Sequence, residues 1–419
     1  MPGRVRSVTT PEVLPSGRGS VLASGPMRIV GAYALVAVIL AVAFAAGILL
    51  GGFRAIERSD YLTYHVAARI VLDGDGACLY DVECQTRVQQ ELIGEEPSFE
   101  AGALPYNSPP WFAALVAPFG LLPLQLGFVV FTLIGLALLA VGTWRVANWD
   151  GGTSAARLLA VVLVLTAWPT VMGAIRGQLT LSVAGLLAIS VAGSGIALGL
   201  ATMKPTLVPV WAAWLVAHAR WRQLGVAAAV FGALVVLSLV VVSPQALLDY
   251  PAHLFGVAGE DSLGVHVDEM VNWRGVAERI GLGGWFVIAT TVATLAAVAV
   301  AWWRNRSLAL GAAIAFLATP LVIPHANQHE AILAELGVVL AIAGLPGMRR
   351  QLVAAAIVTH AVLWTGPVLQ AFSREASAWL VFGAVAVWFG AVAWLSGTSE
   401  SVDLAPPKPM DPLPSAQTG

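Results

Sequence analysis

The chain has 419 residues, of which 58% are hydrophobic and 11% charged, and its formal net charge is −2. A soluble domain carries about 25% charged residues, so this composition excludes a soluble globular protein. The partner that it indicates is a lipid bilayer, and no basic block indicates a nucleic-acid partner.

Apolar stretches recur from residue 29 to residue 396, each long enough to cross the hydrocarbon core as a helix. They predict an all-α polytopic membrane protein with about 12 transmembrane helices. The first stretch, 29–50, follows several arginines and precedes no small-residue cleavage site, so we expect an uncleaved helix. Residues 28–397 are predicted to form a single membrane domain between disordered cytoplasmic tails, a polar one at 1–27 and a Pro-rich one at 398–419.

Arginines near the helix ends predict the orientation, because arginine and lysine are enriched on the cytoplasmic side. Besides the N-terminal arginines, the clusters are Arg145 with Arg157, Arg220 with Arg222, Arg304 with Arg306, and Arg349 with Arg350. Placing them all inside puts both termini in the cytoplasm of a multi-pass cell-membrane protein. The outer segments are then 51–121, 173–179, 243–284, 324–328 and 368–376.

The first outer segment, 51–121, is a large extracytoplasmic loop that we expect to carry short amphipathic helices. One helical stripe begins at Tyr61 and is stopped by Asp-Gly-Asp-Gly at 73–76, and a second helix is expected from Asp81 through Leu92. Cys78 and Cys84 lie in the same loop. An oxidising compartment would keep a disulfide between them, and two unpaired thiols are the alternative.

Asp60 lies in this loop ten residues beyond residue 50, the end of the first predicted span. A reaction at the membrane surface needs a base in such a place. A solvated loop acid is the simpler interpretation of the position alone.

Lys204 interrupts an apolar stretch where the segments 195–204 and 206–219 meet in a predicted broken or re-entrant element. A lysine in hydrocarbon costs at least about 2.5 kcal/mol on an insertion scale. It therefore needs a counter-charge or a water-filled cavity, and a substrate phosphate and a structural carboxylate are both candidate partners.

The segment that contains His325, Asn327 and His329 is also polar and predicted to be outside. His325 and His329 are four apart, so on a helix they would share a face. No Glu or Cys completes a zinc signature around them, which favours polar lining of a substrate cavity over a metal site.

For two other groups of polar residues, contact with substrate and a structural role are equally supported by the sequence. The Gln178 amide lies where an outer segment enters a helix, so it either contacts substrate or caps that helix. Trp273 and Arg274 could stack on and hydrogen-bond a sugar or phosphate, and interface anchoring is the alternative.

In these residues the chain resembles glycosyltransferase family 87 of the GT-C superfamily of integral membrane glycosyltransferases. The family includes mycobacterial mannosyltransferases and arabinofuranosyltransferases that use polyprenyl-phosphate sugars. The resemblance covers residues 59–222, and beyond them it rests on the pattern of spans and the polar residues around His325. Its motifs are Ser59-Asp60-Tyr61-Leu62-Thr63-Tyr64, Ala67-Ala68, Leu72-Asp73-Gly74, Leu79-Tyr80-Asp81, Tyr106 to Pro110, Ala117-Pro118-Phe119 with Leu122-Pro123, Arg176-Gly177-Gln178, Gly199 to Pro205 and Arg220-Trp221-Arg222.

The resemblance implies a GT-C-like fold with no cofactor, a polyprenyl-phosphate sugar as donor and a cell-envelope glycolipid or glycan as acceptor. Mannose is the favoured sugar and arabinofuranose the next. Asp60 would be the general base on the extracytoplasmic face of an inverting reaction, which needs no acid because the polyprenyl phosphate leaves as an anion. Together with the residue patterns, this gives as candidate substrate-binding residues Lys204, Arg176, Gln178, Arg274, Trp273, His325, Asn327, Tyr64 and Tyr106.

Two departures from the family pattern bear on the sugar or the acceptor more than on the reaction type. Members often have Tyr-Pro-Pro where this chain has Tyr106-Asn107-Ser108-Pro109-Pro110, and they often have Asn where Thr180 stands.

A membrane transporter of an anionic or lipid-linked substrate is the alternative function, because broken helices and a lysine at membrane depth are also transporter features. No inverted repeat is visible, and the acid-rich first outer loop favours an enzyme. A lipid-linked scaffold or flippase-like assembly factor without chemistry is a third interpretation.

Overall fold

The computed structural model describes residues 54–94, 104–149, 153–257 and 267–398, together with parts of 31–46. All regular structure in these residues is helical. The predicted tails, apart from residue 398, and most of the first predicted span lie outside the described residues.

Nineteen helices follow one another along the ranges from residue 54 to residue 398. They are α1 Arg54–Glu57, α2 Asp60–Leu72, α3 Val82–Ile93, α4 Pro110–Val116, α5 Leu124–Val146, α6 Ser154–Thr166, α7 Trp168–Arg176, α8 Thr180–Val191, α9 Gly195–Ala201, α10 Pro209–Ala217, α11 Trp221–Val241, α12 Pro244–Val257, α13 Trp273–Arg279, α14 Gly284–Arg304, α15 Leu308–Val322, α16 Ile332–Gly344, α17 Arg349–Leu363, α18 Gly366–Phe372 and α19 Arg374–Thr398. Short 3-10 turns include Pro205–Leu207, Val267–Glu269 and Gln328–Ala331.

Five described segments are long and apolar enough to cross a membrane. They are Leu124–Val146, Trp221–Val241, Gly284–Arg304, Pro346–Phe372 and Arg374–Thr398. Helices α6 and α7, which meet at a bend of 56°, give a sixth if the pair is one span. The chain is therefore a helical multi-pass membrane protein, and the count of about 12 spans stays a prediction.

Shorter apolar helices form the interior of the bundle. Every residue of α8 except Ile189 is buried, and so is every residue of α15 except its two ends. Among the five long segments, by contrast, at most 33% of the most apolar window is buried. The long helices therefore have the surface that lipid can cover, while α8 and α15 lie in the protein interior.

The first predicted outer loop contains α2 and α3. Helix α2 ends at Leu72 before Gly74, whose φ of +82° suits glycine, and α3 begins after Asp81, whose carboxylate accepts the Cys84 N–H at 2.8 Å. Cys78 and Cys84 are joined by a disulfide. The position of this loop outside the membrane stays a prediction.

The chain is also irregular where the sequence predicts a broken element. Helix α9 ends at Ala201, Lys204 precedes the 3-10 turn Pro205–Leu207, and α10 begins at Pro209. Non-helical backbone of this kind is tolerated at membrane depth where protein or a cavity surrounds it.

The predicted outer segments meet at one end of the bundle, which we call the polar end: residues 58–60, 104–109, 173–180, 202–205, 250–253, 267–274, 323–330 and 374. His253 Nε2 donates to Asn107 Oδ1 at 3.0 Å, and Val271 N donates to Ala326 O at 2.7 Å. Arg374 pairs with Glu269 at 2.7 Å.

The opposite end, which we call the arginine end, comprises residues 144–149, 153–157, 190–194, 217–223, 304–307 and 396–397. Arg306 donates to Ala217 O at 3.4 Å, and the Arg157 guanidinium lies 5.6 Å from the centre of the Trp144 ring. The segregation of the two ends follows the arginine pattern of the sequence, while which end faces the cytoplasm stays a prediction.

Candidate functional site

Side chains from four distant segments converge at the polar end. We call the site cluster Asp60, Tyr64, Gln178, Thr180, Lys204, His325, Asn327, His329 and Glu330. Helix α2 supplies the first two residues, the start of α8 the next two, and the break after α9 supplies Lys204. The rest come from the turn between α15 and α16, so the site joins parts of the chain that are far apart in sequence.

The sequence Arg176-Gly177-Gln178 holds the start of α2 in place. Arg176 Nη1 donates to Arg58 O at 3.5 Å, and the Gln178 amide donates to the Asp60 carboxylate. Gly177 ends α7 with a φ of +61°, and a Cβ on it would lie 2.6 Å from Tyr61 Cβ. Of the two alternatives for Gln178, capping of α8 is wrong, because no side chain of the described residues caps this helix and the Gln178 amide donates to Asp60. Substrate contact stays a prediction.

Asp60 is the carboxylate of the cluster that a ligand can reach. Its side chain is half-buried at the first position of α2, and its Oδ2 accepts the Gln178 amide. Within the described parts of the chain, no protein donor bonds its Oδ1. One oxygen of Asp60 thus remains available to accept a proton or a hydrogen bond from a ligand.

Glu330 is a second carboxylate that sequence reasoning did not single out. Its Oε1 accepts from Lys204 Nζ, from Thr180 Oγ1 at 3.0 Å and from His329 Nε2 at 3.0 Å. Its Oε2 accepts the Asn327 N–H at 2.7 Å. Burial alone would raise the pKa of Glu330, but His329 and Lys204 hold it below its ordinary value. Glu330 is fully buried and both of its oxygens already accept protein donors, so it is not placed to take a proton from a ligand.

A local signal for Glu330 exists in the sequence. Asn327 precedes it by three residues, and the two form a reciprocal capping box at the turn that starts α16. The Asn-x-x-Glu spacing indicates such a box. It does not indicate that the same carboxylate also contacts Lys204.

Lys204 pairs with a structural carboxylate, that of Glu330, which is one of the two kinds of partner expected from the sequence. Its ammonium group donates to Glu330 and, at 2.7 Å, to Thr180 Oγ1. The side chain is 21% exposed, whereas that of Glu330 is 0% exposed. A charged lysine is thus held beside a route to solvent or to a ligand.

His325 lies in the cluster as a neutral imidazole. Burial is the main cause that lowers its pKa to about 4; Glu330 opposes this shift, and the charges of Lys204, His329 and Arg274 add to it. The Asn327 amide donates to its Nε2 at 3.2 Å. The helix that would put His325 and His329 on one face does not form, because His325 precedes the 3-10 turn that contains His329.

Tyr64 lies beside both carboxylates. The centre of its ring lies 5.1 Å from that of Phe112 and 5.6 Å from that of Phe131. Burial raises the pKa of Tyr64 well above its ordinary value, and the charges of Asp60 and Glu330 raise it too. The residue is therefore a buried, neutral phenol.

Two candidate substrate-binding residues, Tyr106 and Trp273, have hydrogen-bond partners elsewhere in the protein, and their contact with substrate stays a prediction. The Tyr106 hydroxyl donates to Pro109 O at 2.9 Å, and its ring, fully buried, stacks on Tyr80. Trp273 Nε1 donates to Thr294 Oγ1 at 2.9 Å between α13 and α14. The structure does not bring these two side chains into the site cluster.

A multi-pass helical protein with buried charges gathered at one end belongs to the membrane enzymes and transporters. A family model, glycosyltransferase family 87, matches residues 106–324, more than half of the chain. The chain therefore belongs to glycosyltransferase family 87 and is a membrane glycosyltransferase. No curated protein and no solved structure matches it. The matched segment contains Gln178, Thr180 and Lys204, whereas Asp60 and Glu330 lie outside it.

Proposed function

We propose that the protein moves a sugar from a polyprenyl-phosphate donor to a cell-envelope glycolipid or glycan, with mannose favoured and arabinofuranose next. Asp60 is the general base of this reaction. The observation that carries the assignment is the difference between the two carboxylates. Glu330 is fully buried and both of its oxygens accept protein donors, while Asp60 is half-buried and keeps an oxygen without a protein donor among the described residues.

The proposed step is an inverting displacement. The acceptor hydroxyl oxygen attacks the anomeric carbon and forms the new glycosidic bond as its proton passes to Asp60. The bond between the anomeric carbon and the phosphate oxygen breaks, and its electron pair leaves on the polyprenyl phosphate. Because the leaving group is already a stable anion, one carboxylate suffices, and no second carboxylate is needed as an acid.

Cationic residues at the polar end suit the charge of such a donor. Lys204 is partly exposed, and Arg274 lies close enough to His325 to lower its pKa. Together with Arg176, they are the proposed phosphate contacts, and fixed cations in a dry cavity stabilise a leaving anion more strongly than water does. His325 and Asn327, from the same cluster, are the other proposed substrate contacts. No cofactor enters the proposal.

The polar end is proposed to face the outside of the cell membrane, with both termini in the cytoplasm. The arginine clusters at the opposite end support this orientation, since cytoplasmic helix ends are enriched in arginine. The donor would then enter from the outer leaflet.

The test is a transfer assay with protein reconstituted in membranes. Radiolabelled polyprenyl-phosphate mannose, arabinofuranose and glucose are each offered with an envelope lipid extract. Label should move to a new lipid or glycan with the wild type, and Asp60→Asn should reduce the rate by about 10²–10⁴-fold, the usual contribution of a general base. Asp73→Asn, at the other end of the same helix and half exposed, is the matched control and should leave the rate unchanged.

Each adverse outcome identifies the part of the proposal that is wrong. Transfer that survives Asp60→Asn removes the base but keeps the enzyme. Absence of transfer from every donor by well-folded wild type removes the donor class. Movement of a substrate across the membrane with no new glycosidic bond would instead support a transporter.

A further inference from the structure

We infer that Thr180 and Glu330 are positioning residues that orient Lys204 for the phosphate of the donor, an inference that rests on the proposed function. The three side chains form a closed triangle. Lys204 Nζ donates to Thr180 Oγ1 at 2.7 Å, Thr180 Oγ1 donates to Glu330 Oε1 at 3.0 Å, and Lys204 also donates to that same oxygen.

The triangle fixes the direction of the lysine ammonium. An ammonium group has three N–H donors. Thr180 and Glu330 take two of them, so the direction of the third is set by tetrahedral geometry. The lysine side chain is 21% exposed, and the third N–H is the one that the protein leaves for a ligand in this inference.

Neither positioning residue can reach the ligand itself. Thr180 is 1% exposed and Glu330 is 0% exposed, and both are bonded within the cluster. Both therefore act through Lys204, and the hydroxyl of Thr180 is needed because it accepts from the lysine while donating to the carboxylate. A side chain of the same size without the hydroxyl would break two sides of the triangle.

The arrangement lowers the cost of binding the phosphate. A lysine on a flexible stem loses rotamer freedom when it binds an anion. Here that freedom is already restricted before the donor arrives, and His329 and the Asn327 N–H share the charge of Glu330. Glu330 thus orients the lysine, while its negative charge is also stabilised by hydrogen bonds from His329 and Asn327.

The test compares Thr180→Val and Thr180→Ala, which lack the hydroxyl, with Thr180→Ser, which keeps it. With the donor that the wild type uses, the first two should raise the KM for the donor about tenfold, the effect of one lost hydrogen bond to a charged group. The KM for the acceptor should stay within twofold of the wild type. Thr180→Ser should restore the donor KM, and Thr180→Ala replaces Thr180→Val if the latter does not fold.

Binding of undecaprenyl phosphate, measured by calorimetry in detergent, separates this inference from the proposed function. The wild type could bind this lipid without transferring sugar, and Thr180→Val could bind it more weakly. That result would keep the inference and overturn the proposed transfer. Equal donor KM values in all the variants would overturn the inference and keep the transfer. An equal rise in the KM for donor and for acceptor, which Thr180→Ser does not reverse, would show a purely structural role for Thr180 and would also overturn the inference. Wild type that neither binds nor transfers overturns both.

Discussion

At the polar end, the fully buried carboxylate of Glu330 takes four protein donors, whereas at the arginine end the exposed Arg306 donates to a backbone carbonyl. The arginine end is fastened by neutral amides: Gln223 donates to Ser190 O at 2.6 Å and Asn305 to Ser396 O at 2.9 Å. Helix ends in this protein can thus be joined without burying a charge. A buried ion pair often stabilises a protein no more than packed apolar groups do. The buried charges of the polar end are therefore better explained by a role in substrate binding or catalysis than by stability.

The largest effect on stability is expected when the buried pair is broken. Lys204→Met leaves the Glu330 charge without its lysine, which should lower the free energy of unfolding by about 3–5 kcal/mol. The same substitution at the arginine end, Arg306→Met, removes an exposed charge and should change it by less than about 0.5 kcal/mol. Unfolding of both variants in detergent micelles measures the difference, and equal stability would abolish the contrast between the ends.

A second comparison concerns two glycines with the same left-handed backbone, Gly177 with φ +61° and Gly281 with φ +69°. Alanine at either position should cost about 1–2 kcal/mol for the conformation alone. At Gly177 the new Cβ would also lie 2.6 Å from Tyr61 Cβ, while at Gly281 no atom lies within 4 Å. Only Gly177→Ala should shift α2 and Asp60, so only this variant should lose transfer activity beyond its loss of stability.

The smallest effect is a pH dependence from the polar end. His325 has a pKa of about 4 in the folded protein against 6.5 ordinarily, so the unfolded chain binds more protons between these values. Stability from this residue is complete above pH 6.5 and is lost as the pH falls toward 4. The melting temperature of His325→Gln, followed from pH 8 to pH 4, should therefore fall less than that of the wild type. Parallel curves would show that His325 is not the group concerned.

Features set by neighbouring residues could be predicted from the sequence. Helix α2 stops at the Asp-Gly sequence that predicts its end, and the backbone is broken around Lys204, where a charged residue and a proline interrupt an apolar stretch. The gathering of the outer segments at one end followed from the arginines, because charge at the helix ends sets which loops share a side.

Contacts between distant parts of the chain could not be predicted. Lys204 and Glu330 are 126 residues apart, and Asp60 and Gln178 are 118 apart. Hydropathy predicts which segments enter the membrane but not which helices touch within it. Aromatic residues pose the same difficulty. The sequence around Tyr106 and Trp273 looks the same whether these residues bind a sugar or pack against protein.

The separation of Lys204 from its counter-charge has a consequence for biogenesis. At about 5–20 residues per second, the ribosome delivers Glu330 roughly 6–25 s after Lys204, given the 126 residues between them. During that interval the nascent chain has a lysine at the break after α9 without the carboxylate that later neutralises it. Lys204 must then be sheltered by the insertion machinery or by water, and a chain that terminates before Glu330 would present an uncompensated charge to membrane quality control.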